Sequence, residues 1–240
     1  MTGRYERQTA ETDRYKQQAA ERAVELIESG MTIGLGTGET ATYAIRRIGA
    51  LLRAGALEDI EGVATSLATA AEAVRLGIPL LEESRVTPTD ITIDGADEID
   101  PALNLIKGRG GALLREKIVA QTSRRVVIVA DHSKLSPMLG TRSPLPIEIV
   151  PFGSRYQAEY LKRLIPQAQI SFRLAPGDSP VRTDQGNFIL DCVTGPIDRP
   201  EELAGQLQAR AGVVAHGLFL GLATDVIVAG PSGVEHRTRQ

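Results

Sequence analysis

Tryptophan is missing from this chain of 240 residues, and aromatic residues reach only 4 %. The core must therefore be assembled from Ala, Val, Ile and Leu, the residues of strands buried on both faces between helices. At 42 % hydrophobic residues there is enough apolar side chain for a full core, in one large domain or two modest ones. Cysteine occurs once, at Cys192, which excludes an internal disulfide and fits a reducing cytoplasm. A basic surplus is also absent: 27 Lys and Arg face 30 Asp and Glu, for a formal net charge of −3, so a general nucleic-acid binder is excluded. No apolar run approaches the ~18 residues that cross a membrane. The opening segment MTGRYERQTAETDRYKQQ has no apolar signal region. These absences lead to the expectation of a soluble, cytoplasmic globular protein with neither a nucleic-acid nor a membrane partner.

What is present is an alternation of Val/Ile runs with helical periodicity. Residues 1 to about 14 read as a disordered or loosely docked polar segment. A helix follows with Ala20, Ala23, Val24 and Ile27 on one face, and Gly30 is expected to end it. MTIGL (31–35) reads as a buried strand running into a GTG turn and a helix that carries Ala44, Ile45, Ile48 and Leu52. A strand near Val63, a helix from Ala70 to Leu76 and a short strand at Pro79–Leu81 come next. DITIDGAD (90–97) is a strand ending in an acidic loop, KGRGG (107–111) opens the helix ALLREKIVAQ, and RRVVIVAD (124–131) is a further strand. This order predicts an α/β fold with a doubly wound, Rossmann-like parallel sheet. The pattern then changes. PLPIEIVPF, the helix SRYQAEYLKRLI (Tyr156, Tyr160, Leu161 and Leu164 repeating), ISFRLA, NFILDCV, the Pro200-led helix PEELAGQLQARA and VVAHGLFLG spell βαββαβ, a ferredoxin-like α+β signature. DVIVAG (225–230) suits the first sheet again. The expected organisation is a Rossmann-like domain of residues 1–142 plus 222–240 carrying the candidate catalytic groups, with a ferredoxin-like domain, 143–221, inserted into it.

Four turn motifs stand at the ends of predicted strands, where ligands of open α/β sheets bind. GLGTGET (34–40) offers a tight turn and free helix N-terminal amides to an anion. It is neither a Walker loop nor a dinucleotide fingerprint, because Glu39 stands where the third glycine belongs. DGADE places Asp94, Asp97 and Glu98 at a strand end, fit for acid–base work or a divalent metal, or simply for a solvated turn. In KGRGGALLREK, Lys107 precedes amides that can face a developing oxyanion. Glu116, expected in the second turn of the following helix beside Ala112, Leu113 and Ala120, is a candidate desolvated base. Arg115 and Lys117 beside it also permit an ordinary exposed glutamate. ADHSK brings Asp131 and Lys134 to a strand mouth, with His132 read as polar surface. No Cys/His cluster has metal-ligand spacing, and no nucleophile elbow is present. An acid, a base, oxyanion donors and an anion site together suit proton transfer beside the carbonyl of a phosphorylated sugar.

With these residues in view, the chain from about Lys16 to about Gly233 resembles the ribose-5-phosphate isomerase A family. GLGTGET is similar to that family's GxGTGST loop, and DGADEID, KGRGGALLREK, ADHSKL, PLPIEIVPF and TDQGNFILD to its remaining blocks, in the same order. The resemblance implies an aldose–ketose isomerase that interconverts ribose 5-phosphate and ribulose 5-phosphate through an enediolate, in the non-oxidative pentose phosphate pathway. It implies no metal or organic cofactor, and a homodimer or tetramer. Glu116 would shuttle the proton, while Asp94 and Asp97 contact sugar hydroxyls. Lys107 with the amides of Gly108, Arg109 and Gly110 would stabilise the negative oxygen. Lys16, Thr37, Gly38, Thr40, Asp131 and Lys134 would hold the substrate and its phosphate. Two residues depart from the pattern. Glu39 replaces the usual Ser, and Arg109 stands where many members have Gly. A carboxylate in the phosphate loop is expected to point outward, with Arg109 as the cation to hold it there. A sugar-phosphate-sensing regulator on the same scaffold would need a DNA-binding module, for which one helix before the first strand leaves no room.

Overall fold

The computed structural model describes residues 2–82, 85 and 88–239. The chain divides into two compact units, the first of Met1–Gly95, Ile118–Lys134 and Leu222–Gln240, the second of Ala96–Lys117 and Leu135–Gly221.

The first unit is built on a six-stranded sheet. Its strands are β1 (Thr32–Leu35), β2 (Glu61–Ala64), β3 (Ile91–Gly95), β6 (Val126–Asp131), β12 (Asp225–Gly230) and β13 (Gly233–Thr238), in the order β13-β12-β6-β3-β1-β2. All neighbours are parallel except the edge pair β12–β13. Every residue of β6 is buried, as a strand between helical layers must be. Helices α1 (Thr2–Val24), α2 (Glu39–Arg53) and α3 (Leu67–Arg75) accompany it. Ala20, Ala23 and Val24 of α1 join Ala44, Ile45 and Ile48 of α2 and Ile33, Ile93, Val127 and Ile227 of the strands in one core. The chain runs from β1 outward to β2 and returns to β3 on the other side of β1, so the carboxyl ends of β1 and β3 flank a topological switch point.

The second unit holds a four-stranded antiparallel sheet, β10-β7-β9-β8, of β7 (Leu145–Ile149), β8 (Gln169–Phe172), β9 (Phe188–Val193) and β10 (Val213–His216). With α5 (Ser154–Leu164) and α6 (Pro200–Gln208) the element order is βαββαβ. Leu145, Ile147, Ile149, Leu190 and Cys192 meet Leu161 and Leu207 in its core. Because side chains alternate along a strand, Glu148, Ile189 and Asp191 fall on the opposite face. A three-stranded sheet, β11-β5-β4, joins Leu218–Phe219 to Leu105–Ile106 and Glu98–Ile99. Helix α4 (Leu113–Thr122) follows β5 in sequence.

Several expectations need correction. The polar N-terminal segment is helical from Thr2, and α1 stops at Val24, with Gly30 (φ 84°) in the turn beyond and Ile27 buried outside the helix. Pro79–Leu81 makes only an isolated bridge from Leu80 to Gly62. VVAHGLFLG is two strands in two different sheets, divided at Gly217. On α5, Gln157 is buried while Tyr156 is exposed, so the helix turns one residue away from the apolar stripe read from its tyrosines. Residues 96–117 and 135–142, assigned by sequence to the large domain, cluster with the second unit. Two-residue strands such as β4 and β5 carry no periodicity, so their pairing with β11 leaves no mark on the sequence.

Candidate active site

In the first unit, the β1–α2 turn and the end of β3 are fastened together. Gly36 lies so close to β3 that an added Cβ would stand 2.4 Å from Asp94 Oδ1 and 2.5 Å from the Ile93 carbonyl oxygen. Only glycine fits there. The approach lets the Thr37 N–H donate to Asp94 Oδ1 at 3.0 Å, and the Gly95 N–H donates to the same oxygen at 2.8 Å. Asp94 is buried, and these amides supply part of the stabilisation its charge requires. The Thr37 hydroxyl turns inward to the hydroxyls of Thr65, Ser66 and Thr69 at 2.7, 2.9 and 3.1 Å, which ties the turn to the start of α3. Gly38 caps α2 without a side-chain bond, so the helix N-terminus keeps backbone donors suited to an anion. Gly38 is exposed and Thr40 half-buried in that first turn.

Glu39 projects into solvent, and Lys16 of α1 holds it, Nζ to Oε2 at 2.6 Å, with Asp13 a second partner of the lysine at 3.2 Å. Partial burial pulls the Lys16 ammonium down in pKa, but its bonds to Glu39 and Asp13 outweigh this and leave it above its ordinary value. The cation beside Glu39 is therefore Lys16, in the role expected of Arg109. The two sit 23 positions apart in sequence, a proximity that only the packing of α1 on α2 creates. At the end of β6, buried Asp131 accepts the Ser133 N–H at 3.0 Å, and half-buried Lys134 closes the short helical turn His132–Lys134. His132 is exposed, its ring edge-on to Tyr15 at 5.6 Å between centroids.

In the second unit, the loop 107–111 and the start of α4 form a buried ionic centre. Gly108 adopts φ 110°, and a Cβ there would meet Leu113 Cβ at 3.0 Å. Lys107 and Glu116 are 3 % and 4 % exposed, and Nζ donates to Oε1 at 3.1 Å. A buried carboxylate requires such a countercharge. Glu116 stands in the first turn of α4 rather than the second, and its burial rules out the ordinary surface glutamate. Asp97, half-buried, accepts the Arg109 N–H at 2.9 Å, while the Arg109 and Gly110 positions themselves are exposed. Glu98 serves differently: its carboxylate accepts the N–H groups of Gly140, Arg142 and Ser143 at 3.0–3.2 Å and so ties down a loop.

Sequence reasoning missed a second layer here. Lys117, one residue after Glu116, points inward and donates to the carbonyls of His216 and Leu218 at 2.6 and 3.0 Å, with Nζ 3.3 Å from His216 Nδ1. Burial pushes the Lys117 ammonium down to about 7. Burial, and then the charge of Lys117, push the His216 imidazole down to about 3. Phe219 lies beneath both lysines, its ring centroid 5.7 Å from Lys107 Nζ and 4.8 Å from Lys117 Nζ. A lysine in a charged helix and a histidine in an apolar strand carry no signal of this pairing until the chain is folded. Among the described residues no group of three or more His, Cys, Asp or Glu side chains converges to hold a metal ion, and no helix is long and apolar enough to cross a membrane.

The comparisons with known proteins agree with this geometry. The sequence model of ribose 5-phosphate isomerase A (phosphoriboisomerase A) matches residues 61–233. The ribose-5-phosphate isomerase A of Chloroflexus aurantiacus is 56 % identical over 96 % of this chain and 95 % of its own length. That of Desulfatibacillum aliphaticivorans is 49 % identical over 92 % and 96 %. Among solved structures, a D-ribose-5-phosphate isomerase in complex with phospho-erythronic acid superposes with a TM-score of 0.92 at 38 % identity, covering 95 % of this chain and 99 % of that one. The ribose 5-phosphate isomerase of Plasmodium falciparum gives 0.91 at 40 % identity with the same coverage. A match of this depth along almost the whole chain shows that the protein belongs to the ribose-5-phosphate isomerase A family.

Proposed function

We propose that the chain interconverts D-ribose 5-phosphate and D-ribulose 5-phosphate, in the non-oxidative pentose phosphate pathway, with Glu116 as the group that moves the proton. The observation that carries this reading is the buried Lys107–Glu116 pair behind the glycine loop. In the open-chain aldose, the Glu116 carboxylate takes the proton from C2. The electrons of the C–H bond form a C1=C2 double bond, and the C1 carbonyl oxygen becomes an oxyanion. Glu116 is then neutral, so the Lys107 ammonium loses its original counterion as negative charge appears on the sugar oxygen. One buried cation thus serves the ground state through the carboxylate and the enediolate through the oxyanion. Return of the proton from Glu116 to C1, with the O2 hydroxyl proton passing to O1, completes the ketose.

Asp94 and Asp97, each aimed by backbone N–H groups, are assigned to the sugar hydroxyls and ring opening. The amides of Gly108 and Gly110 are assigned to the developing oxyanion, while the Arg109 N–H, expected to join them, is engaged by Asp97. The α2 N-terminus with Thr37, Gly38 and Thr40, and the cations Lys16 and Lys134, are assigned to the substrate and its phosphate, with Asp131 beside them. For Thr37 the contribution is its place in the turn, since its hydroxyl is engaged by three others. A cytoplasmic location and a homo-oligomeric state belong to the same reading, the first supported by the single, buried cysteine, whose thiol burial pushes up to about 12. The test is to incubate the pure protein with ribose 5-phosphate and EDTA. Ribulose 5-phosphate is the expected product, with the rate unchanged by the chelator. Activity abolished by EDTA and restored by a divalent ion would overturn the metal-free step.

A further inference from the structure

The glycine loop is held from behind by a residue outside every motif. Arg173 follows β8 directly, and its register places it with Asp191 of β9 on the face of the four-stranded sheet turned away from the α5–α6 core. The guanidinium forks the Asp191 carboxylate, Nε to Oδ2 at 2.8 Å and Nη2 to Oδ1. Its remaining amino group, Nη1, donates to the carbonyl oxygens of Gly108 at 2.9 Å and Arg109 at 2.8 Å. Four of its five N–H groups are thereby committed, and the planar fork fixes all four directions at once. The side chains of Arg173 and Asp191 are 17 % and 22 % exposed, so water competes weakly for these bonds.

The consequence lies in the peptide planes. In a trans peptide the C=O and N–H point in opposite directions. Holding the carbonyls of residues 108 and 109 therefore aims the N–H groups of Arg109 and Gly110 away from Arg173. The Arg109 N–H lands on Asp97 Oδ2 at 2.9 Å. The Gly110 N–H belongs to the exposed rim of the same loop. We infer that Arg173 is a positioning residue for the isomerisation: gripped by Asp191, it sets the direction of the loop amides and, through the Arg109 peptide, the carboxylate of Asp97. The inference rests on the proposed function, in which the Gly110 amide faces the enediolate oxygen and Asp97, held by the Arg109 amide, faces the sugar. Arg173 touches no reacting atom, so its removal acts on the rate of the chemical step more than on substrate affinity.

The test is steady-state kinetics with ribose 5-phosphate on Arg173→Lys and Asp191→Asn, with the thermal midpoint measured for each. Lysine keeps the charge but cannot span the carboxylate and two carbonyls. The expected result for Arg173→Lys is a kcat lower by about 10- to 100-fold with KM within about threefold, the size of effect a misplacement near 1 Å produces. Asp191→Asn loosens the grip and is expected to lower kcat by about three- to tenfold, again with KM held. A kcat within about twofold of the unmutated enzyme, a KM that rises in step with the fall in kcat, or a loss that vanishes when the assay temperature is lowered below a depressed thermal midpoint overturns the inference and leaves Arg173 a structural cross-link. If Arg173→Lys does not fold, Asp191→Asn decides on the same criteria. Absence of turnover by the unmutated enzyme sinks the proposed function and this inference with it, whereas normal turnover with indifferent variants sinks this inference alone.

Discussion

Two buried carboxylates, one in each unit, are held by opposite means. In the first, Asp94 is buried at the end of a parallel strand and held by the N–H groups of Thr37 and Gly95. In the second, Glu116 is buried in the first turn of a helix and held by the Lys107 ammonium, which shares the Phe219 ring with Lys117. Backbone donors come with the fold and cannot be lost by substituting their side chains. An ammonium can release its partner when charge moves elsewhere, which a proton-transferring carboxylate requires. In the proposed function the amide-held Asp94 stays fixed in place, and the lysine-held Glu116 changes its protonation state.

The largest expected effect breaks the second unit's centre. Glu116→Gln keeps the shape of the side chain and removes the base, so kcat is expected to fall by roughly 10²–10⁴-fold at little change in KM. Lys107→Met takes the countercharge instead. It removes the ammonium beside Glu116, a carboxylate at 4 % exposure, and urea unfolding is expected to register a loss of about 3–5 kcal/mol. Combining it with Glu116→Leu replaces the pair by apolar groups and is expected to recover most of that stability without activity. A Lys107→Met enzyme as stable as the unmutated one would mean that the pair is not the organising feature described.

Both units carry acid sensitivity: in the first, burial would raise the Asp225 carboxyl but its bonds to Arg125, Thr224 and His236 hold it well below the usual range, and in the second it falls to His216. An unfolded chain protonates His216 near its ordinary 6.5, the folded one only near 3. The unfolded state thus binds the extra proton in between, and the stability this imidazole contributes is lost as pH falls from about 6.5 to about 3. Lys117 acts at the other end. Its ammonium is depressed to about 7 from 10.5, so stability rises as pH climbs through that window. Denaturation curves recorded across pH are expected to show a shallower acid slope for His216→Gln and no alkaline slope for Lys117→Met, and unchanged slopes would remove both groups from the account.

The smallest effect belongs to the first unit. The Lys16–Glu39 pair lies at the surface, with Glu39 82 % exposed, and such pairs contribute ~0–1 kcal/mol. Because the carboxylate is turned outward onto Lys16, Glu39→Ser removes a screened repulsion and one partner of that lysine, and KM for ribose 5-phosphate is expected to change by less than about tenfold. A far larger fall in KM would show that Glu39 faces the phosphate.

How much of this was legible in the sequence follows the same division. The parallel sheet and its turns could be read because Val/Ile runs and the glycines of 34–38 are local signals, and the Asp94 end of β3 lies inside one such run. The βαββαβ order could be read for the same reason. The rest depends on partners far apart in the chain. Lys117 finds His216 99 positions away, and Arg173 finds Gly108 65 positions away. Lys16 rather than Arg109 meets Glu39 because α1 packs on α2, which brings together residues 23 positions apart. Two of the blocks that carry the family resemblance prove to brace each other: Thr183 and Asn187 of TDQGN donate to the buried Glu148 of PIEIV at 2.8 and 2.9 Å. No chemistry was read from those blocks, and this contact supplies a structural reason for them.

The central claim is that Glu116 carries the proton between C1 and C2, and solvent-isotope exchange tests it most directly. Ribose 5-phosphate is followed by proton NMR in D2O with the unmutated enzyme and with Glu116→Gln, whose fold is checked by circular dichroism. The account predicts that the unmutated enzyme forms ribulose 5-phosphate and washes solvent deuterium into the transferred position, while folded Glu116→Gln does both roughly 10²–10⁴-fold more slowly. Glu116→Gln retaining more than about a tenth of the exchange or of the turnover would contradict it and move the search for the base to Asp97.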